Sequence, residues 1–275
     1  MGQPPLSPKR KGRAMLRIMS VGDVTSPSAA KALADRLWEI RKAHRVDFVA
    51  VNAENAGTVI GPSPEIAKLL LDKGADCLTG GNHTLQATAF HAMLESDGRV
   101  LRPLNYPPEA PGTGYTIQDA RGYRLLIVNA MGRVHMEPPL DSPFTAIERV
   151  LAREEGNYDL AILDFHAEAT GEKLALAMHF DGRFSAIYGT HTHVPTADLT
   201  LLPRGTGYVS DIGMCGARGG ILGMNAEVVI RRFLTALPTR LSAAEGELYA
   251  DAVIFDVDER TGRAASLERL SIPLS

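Results

Sequence analysis

Five short segments of the chain carry side chains of the kinds that bind transition metals. They are Asp23, the pair Glu54 and Asn55, the pair Asn82 and His83, His166, and the pair His191 and His193. Carboxylates and imidazoles in one set suit manganese, iron, zinc or cobalt. The absence of a thiolate disfavours a closed structural zinc site. Two metals about 3.5–4 Å apart need a carboxylate between them and a bridging water that serves as nucleophile. Glu54 lies centrally in the order of the segments and is the bridging candidate. His191 and His193 are two residues apart, so in an extended segment both rings face the same way.

Each residue alone has a plainer role. An aspartate after a strand often caps a helix, an asparagine turns a loop, and a single histidine can be a satisfied core residue. Their shared position makes the set informative, because ligand sites of α/β sheets gather at the carboxyl ends of strands. Alternating and aliphatic runs predict strands at Leu16–Val21, Phe48–Val51, Asp76–Leu78, Leu160–Asp164 and Ala186–Tyr188. Each of these strands runs into one of the five segments. Helical spacing over Ala29–His44, Pro64–Lys73 and Gln86–Ser96 alternates with the first three strands, which predicts a parallel sheet with right-handed crossovers. The expectation is that all five segments meet at one edge of one sheet.

Further along, Gly114–Asp119 and Tyr123–Asn129 flank Arg121-Gly122 as a hairpin. Helices are expected at Ser142–Glu155, Glu172–His179 and Ala226–Leu234. Strands are expected near Leu199–Leu202, Gly207–Ser210, Tyr249–Val257 and Ser266–Ser271. The glycine-rich run Gly216–Gly223 could approach a phosphate, but it lacks the Lys-Ser/Thr of a P-loop. His44, His91, His135 and His179 lie in helices or loops and are expected to be structural or solvated. Cys77 and Cys215 have no CxxC partner and are expected to be structural thiols in a reducing compartment.

At 275 residues the chain can build a large core without disulfides. Its 45% hydrophobic and 22% charged residues exclude a largely disordered protein. Residues 1–17 hold Lys9, Arg10, Lys11, Arg13 and Arg17 with no acid. Against a net charge of −3, the rest of the chain therefore sums to −8. That acidic body argues against a dedicated nucleic-acid binder, and no stable nucleic-acid partner is expected. No apolar run approaches the roughly 18 residues of a membrane span, and no apolar stretch follows the basic start as in a secretory signal. The expected organisation is a disordered basic extension over residues 1–14 and a single domain over 15–275, in the cytoplasm.

The runs Gly22-Asp23-Val24, Asn52-Ala53-Glu54-Asn55-Ala56 and Gly81-Asn82-His83-Thr84 resemble the metallophosphoesterase superfamily. Asp164-Phe165-His166-Ala167-Glu168-Ala169-Thr170 and Gly189-Thr190-His191-Thr192-His193-Val194-Pro195 resemble its YmdB-like branch, and the match runs in order from about Leu16 to Leu270. The resemblance implies an α/β fold with mixed sheets in a four-layer α/β/β/α sandwich. It implies two metal ions, iron or manganese first, with zinc and magnesium as alternatives. Asp23, Glu54, Asn55 and His193 would hold one metal. Glu54, Asn82, His166 and His191 would hold the other. His83 would be the general acid. The implied reaction is hydrolysis of small phosphodiesters, 2′,3′-cyclic nucleotides to 3′-nucleotides, by a metal-bridging hydroxide. A homo-oligomer would fit the resemblance.

The chain also departs from that branch. Thr25-Ser26-Pro27-Ser28-Ala29 stands where a glycine-rich segment with an arginine is usual, Leu85-Gln86 follows the Asn-His-Thr run, and Gly213–Gly220 reads GMCGARGG. Arg133 and Arg218 are candidate phosphate contacts. Two other functions use some of the same residue types. An amidohydrolase barrel also uses His-x-His, but early in the chain, and too few βα units are present here. A regulatory metal-binding protein of the same fold would keep the ligands and lack turnover.

Overall fold

The computed structural model describes residues 15–57 and 61–274, so the expected basic extension lies outside the described residues. The chain runs β1 (Met15–Val21), β2 (Asp23–Val24), α1 (Pro27–Ala43), β3 (Phe48–Asn52), α2 (Pro64–Asp72), β4 (Cys77–Thr79) and α3 (His91–Ser96). It continues through β5 (Tyr115–Ala120), β6 (Tyr123–Met131), α4 (Pro143–Arg153), β7 (Leu160–His166), α5 (Thr170–His179), β8 (Ala186–Thr190) and β9 (Thr200–Leu201). The last elements are β10 (Gly207–Val209), β11 (Met214–Ala217), α6 (Ala226–Thr235), β12 (Leu248–Asp258) and β13 (Ala264–Pro273).

The strands form two sheets. The first has the order β2-β11-β12-β1-β3-β4, with β13 on the other edge of β12. β1, β3 and β4 are parallel, as the alternating pattern predicts, but β12 pairs antiparallel with β1 from Met15↔Asp258 to Val21↔Ala252. The sheet is therefore mixed. The second sheet has the order β5-β6-β7-β8-β10-β9, parallel from β6 to β10 with antiparallel strands at both ends.

Three apolar cores follow from the period-two alternation of the strands. Ile18, Phe48 and Phe255 of the first sheet share one core with Leu125, Ile127, Ile162 and Tyr188 of the second. Met19, Val49 and Val51 point the other way and pack with Leu33 and Leu37 of α1 and Leu70 of α2. Val128, Leu163 and Ile187 pack with Ile147 of α4 and Leu176 of α5. Helix starts are encoded locally. Ser26 and Ser63 accept hydrogen bonds from Ala29 N and Ile66 N, and Pro27 and Pro64 open the first turns.

Two expectations are corrected. The helix expected over Gln86–Ser96 is only α3, preceded by two 3₁₀ turns at Thr84–Gln86 and Thr88–Phe90. Ala87 between the turns is extended, with φ −87° and ψ 90°, and interrupts the coil. Part of the glycine-rich run is a strand. β11 pairs parallel with β2, and Gly22 passes so close to the Gly213 carbonyl that a Cβ there would collide with it.

Replacing Ile127, which is fully buried between the sheets, by alanine should cost about 2–5 kcal/mol in urea denaturation. A loss under about 1 kcal/mol would show that this core collapses around the cavity.

Candidate metal centre

The five segments converge, but from two sheets rather than one edge. Asp23, Glu54 and Asn82 follow β1, β3 and β4, whereas His166 ends β7 and His191 follows β8. The hairpin β5–β6 begins a second sheet, and the shared core sets the carboxyl ends of both sheets side by side. Periodicity reports which face of a strand is buried, not which sheet holds it.

His166 is fully buried at the centre of the cluster. Its Nε2 lies 3.0 Å from Asn82 Oδ1, 3.1 Å from His191 Nδ1 and 3.3 Å from Glu54 Oε2. Glu54, His166 and His191 each place a donor atom within 4.8 Å of the others. The remaining ring nitrogens determine where the protons sit. Thr190 Oγ1 donates to Asp164 Oδ1 at 2.7 Å, so it accepts from His166 Nδ1 at 2.9 Å and leaves Nε2 bare. His193 Nδ1 faces the Leu222 carbonyl at 3.0 Å, which can only accept, so its Nε2 is bare as well. His191 Nε2 faces the Glu168 carboxylate at 3.2 Å, which leaves its Nδ1 bare. Bare nitrogens and oxygens therefore point at one another without a proton between them. Asp23 adds a buried Oδ1 that has no hydrogen-bond partner, 3.9 Å from His193 Nε2. This donor set fits divalent cations, because a positive charge in its midst would satisfy the imidazole and carboxylate lone pairs together.

The electrostatics agree with that fit. Burial first, then the nearby charges of Glu54, Asp211 and Asp164, pushes the Asp23 carboxyl well above its usual range. Burial also acts to raise Glu54, but His166 and His83 outweigh it and hold Glu54 below the usual range. Burial drives the His166 imidazole down to about 3, so it is neutral. His191 is lowered, also by burial first. Burial opposes protonation of His83, yet its contacts with Glu54 raise it overall. His83 is part-exposed. Its Nδ1 lies 2.8 Å from Asn55 Oδ1 and 3.4 Å from Glu54 Oε1, while Asn55 Nδ2 donates to Glu54 Oε1 at 2.8 Å.

The His-Thr-His segment is not extended, which corrects that expectation. His191 and His193 have φ of 102° and 62°, a region unfavourable to side chains with a Cβ, at a cost on the order of 1–3 kcal/mol each. The backbone is held there by groups the sequence reasoning missed. Lys173 is fully buried and donates to Thr190 O and Asp211 Oδ2, both at 2.9 Å. Asp211 accepts from Thr192 N at 3.1 Å and Gly213 N at 2.9 Å, and Asp23 Oδ2 accepts from His191 N at 3.0 Å. Asp211 follows β10, so the rule that found the other segments also points to it. Asp164 opens the run Asp164–Thr170 that carries the resemblance, and Lys173 lies three residues beyond its end. Asn52, which donates to both Asp164 and Thr190, opens the Asn52–Ala56 run that carries the resemblance.

The other candidates fall elsewhere. Arg218 lies over Tyr249 and donates to Ser271, and Arg133 is exposed beside Glu172. His91 bonds the Leu85 carbonyl, and His179 contacts Glu148. Both cysteines are buried and free, with burial pushing their thiols up. Gly216 and Gly223 pack against Thr25, so this run braces the chain before α1.

Two mixed sheets whose strand ends share a histidine–carboxylate cluster define a mixed α/β protein with a centre suited to metal. Comparison with known proteins makes the class specific: the family model for YmdB-like proteins matches residues 19–270, and the chain belongs to that family. A Bacillus subtilis (strain 168) protein named 2′,3′-cyclic-nucleotide 2′-phosphodiesterase is 39% identical over 257 residues, spanning 94% of this chain and 97% of its own. A crystal structure of a hypothetical protein from Thermus thermophilus is similar with a TM-score of 0.88 at 40% identity, covering 94% of this chain and 99% of that one. A phosphatase from Mycoplasma pneumoniae has a TM-score of 0.88 at 31% identity, covering 94% of each chain. The chain is an enzyme of the phosphodiesterase and phosphatase class.

Replacing Lys173 by methionine leaves Asp211 buried without its cation and should cost about 3–5 kcal/mol in chemical denaturation. Adding Asp211→Asn should recover part of that loss. No recovery would show that Asp211 is held by its backbone donors rather than by the pair.

Proposed function

We propose that residues 15–275 form one catalytic domain that hydrolyses small phosphodiesters, with 2′,3′-cyclic nucleotides yielding 3′-nucleotides as the first substrate class. The observation that carries this is the set of unprotonated donors around His166, in a chain 39% identical to a protein named for that reaction. Asp23, Glu54, Asn55 and His193 would hold one metal, and Glu54, Asn82, His166 and His191 the other. Iron or manganese is the first choice, as the family resemblance implies, from among the manganese, iron, zinc and cobalt that the donor types suit. The three cores support a four-layer α/β/β/α order of helices and sheets. No helix of the described residues is long and apolar enough to cross a membrane, in keeping with a cytoplasmic site of action.

When bound, the metal pair supplies an activated water and offsets charge on the phosphoryl oxygens. The protein's own groups do the rest. Glu54 touches both halves of the cluster and fixes their spacing. Asn55 Oδ1 accepts from His83 Nδ1 and orients the ring; its second lone pair leaves it able to bind metal. Against the effect of burial, the Glu54 contacts raise the His83 imidazole above its usual range, which favours the protonated ring that would deliver a proton to the departing ribose oxygen. Ser26 caps α1 and Thr25 Oγ1 donates to the Cys215 carbonyl at 3.1 Å, so the altered Thr25–Ala29 segment starts a helix without removing a ligand.

Manganese-reconstituted protein should convert 2′,3′-cyclic AMP to 3′-AMP, and a chelator should abolish the reaction. A protein that carries metal yet turns over neither this nor other phosphoesters would be a regulator instead. His191→Ala should lose both metal and turnover with its circular dichroism unchanged; full activity would overturn the ligand set. His83→Ala should keep its metal and lose about 10²–10⁴-fold in kcat. Loss of metal in that variant would make His83 a ligand.

A further inference from the structure

The segment between α3 and β5 crosses from one sheet to the other beside the cluster. Near its start Leu101 N donates to the Leu78 carbonyl of β4 at 2.8 Å. Three residues on, Leu104 N donates to the Asn129 carbonyl of β6 at 2.7 Å. Asn105 then takes both backbone groups of Met131. Its Nδ2 donates to Met131 O and its Oδ1 accepts from Met131 N, each at 2.9 Å. Met131 is the register partner of His166, and β4 leads into Asn82 and His83. Tyr106, the next residue, is therefore anchored at the end of β6, beside the strand that ends in His166.

The backbone around Tyr106 is held by an unusual group. Arg102 is only 5% exposed, and among the described residues no carboxylate pairs with it. Its guanidinium donates instead to the carbonyls of Pro103 at 2.8 Å and Ala110 at 3.3 Å, and to those of Leu104 and Pro107 at 3.5 Å. These carbonyls lie on both sides of Tyr106 in the chain. A buried cation whose hydrogen bonds go to main-chain carbonyls holds a loop in one shape. The Tyr106 side chain has no such anchor. It is half-buried, and among the described residues no hydrogen bond engages its hydroxyl. A tyrosine so placed normally finds a partner for that group. Burial first, then the nearby negative charge of Glu54, pushes the hydroxyl up, so it keeps its proton.

We propose that the Tyr106 hydroxyl donates a hydrogen bond to a non-bridging phosphoryl oxygen of the substrate, on a loop that Arg102 and Asn105 hold in place. This rests on the phosphodiesterase reading above and adds to it a substrate contact outside the set of metal ligands. The phosphoryl group is the part of the substrate that must lie against the cluster, and it is the hydroxyl that feels the charge of Glu54. A neutral donor can reach a phosphoryl oxygen there without pairing with the carboxylates, as a lysine or arginine would. Arg218, a phosphate candidate from the sequence, is engaged with Tyr249 and Ser271 instead.

Tyr106→Phe removes the hydroxyl and keeps the ring. The manganese-reconstituted variant should lose about ten- to a hundredfold in kcat/KM, the worth of one hydrogen bond to a charged group. The loss should be equal on 2′,3′-cyclic AMP and on bis(4-nitrophenyl) phosphate, which carries no base. Titration calorimetry with inorganic phosphate should show weaker binding by the variant, with circular dichroism and metal content unchanged. The phosphate titration reads the contact even where the parent protein turns over neither diester, a result that would count against the reaction and not against the contact. Unchanged kcat/KM together with unchanged phosphate affinity in Tyr106→Phe overturns the inference. So does a loss seen only in Tyr106→Ala and only on the nucleotide, which would assign the ring to stacking on the base.

Discussion

The structure depends on a cluster of electron pairs in which the His83 backbone N–H reaches Glu54 Oε2 at 3.1 Å and no side-chain proton is directed between the rest. His166 Nε2, His191 Nδ1, Asn82 Oδ1 and Glu54 Oε2 meet within little more than hydrogen-bond distance, and each histidine spends its one proton on a partner outside the cluster. Such an arrangement is unfavourable in a polypeptide alone, because bare acceptors repel in a poorly solvated interior. The surroundings keep it from relaxing. Thr190 is held by Asp164 and Asn52, Asp164 also receives Thr79 Oγ1 at 2.5 Å, and Gly81 leaves no room for a Cβ between its backbone and Glu54 or His166. The polar network beneath the cluster thus sets the direction of the His166 proton above it.

The same logic explains the strained His-Thr-His turn. A strand pleat would have aligned the two rings on one side at no cost. The observed backbone instead places His191 against His166 and His193 against Asp23, in two different parts of the cluster. Lys173, Asp211 and Asp23 hold Thr190 O, Thr192 N and His191 N in that shape. A buried ion pair seldom adds much net stability. Here its value lies in fixing a backbone that would otherwise return to a commoner conformation.

Much of this was legible in the sequence. The types and strand-end positions of Asp23, Glu54, Asn82, His166 and His191 suffice to expect one cluster. What stayed hidden has physical causes. Alternation shows that Leu125 and Ile127 are buried but not that they face Ile18 and Phe48 of another sheet. Two-residue β2 and glycine-rich β11 lack the apolar pattern of a strand, because their pairing rests on close backbone approach. Proton direction along Asp164, Thr190 and His166 depends on distances that spacing in a chain does not contain.

The strand order of the first sheet has a consequence for synthesis on the ribosome. β1 lies between β3, made soon after it, and β12, whose last residue is Asp258. The side of β1 that β12 covers stays unpaired until most of the chain has emerged, and an open strand edge invites pairing with other chains. Every residue of the cluster, through His193, is made before β12 completes the sheet that carries Asp23 and Glu54. The nascent protein thus carries every side chain of the cluster while one supporting sheet is still unfinished. Closure of that sheet, and with it the final placement of Asp23 and Glu54, is a late event in the life of each molecule.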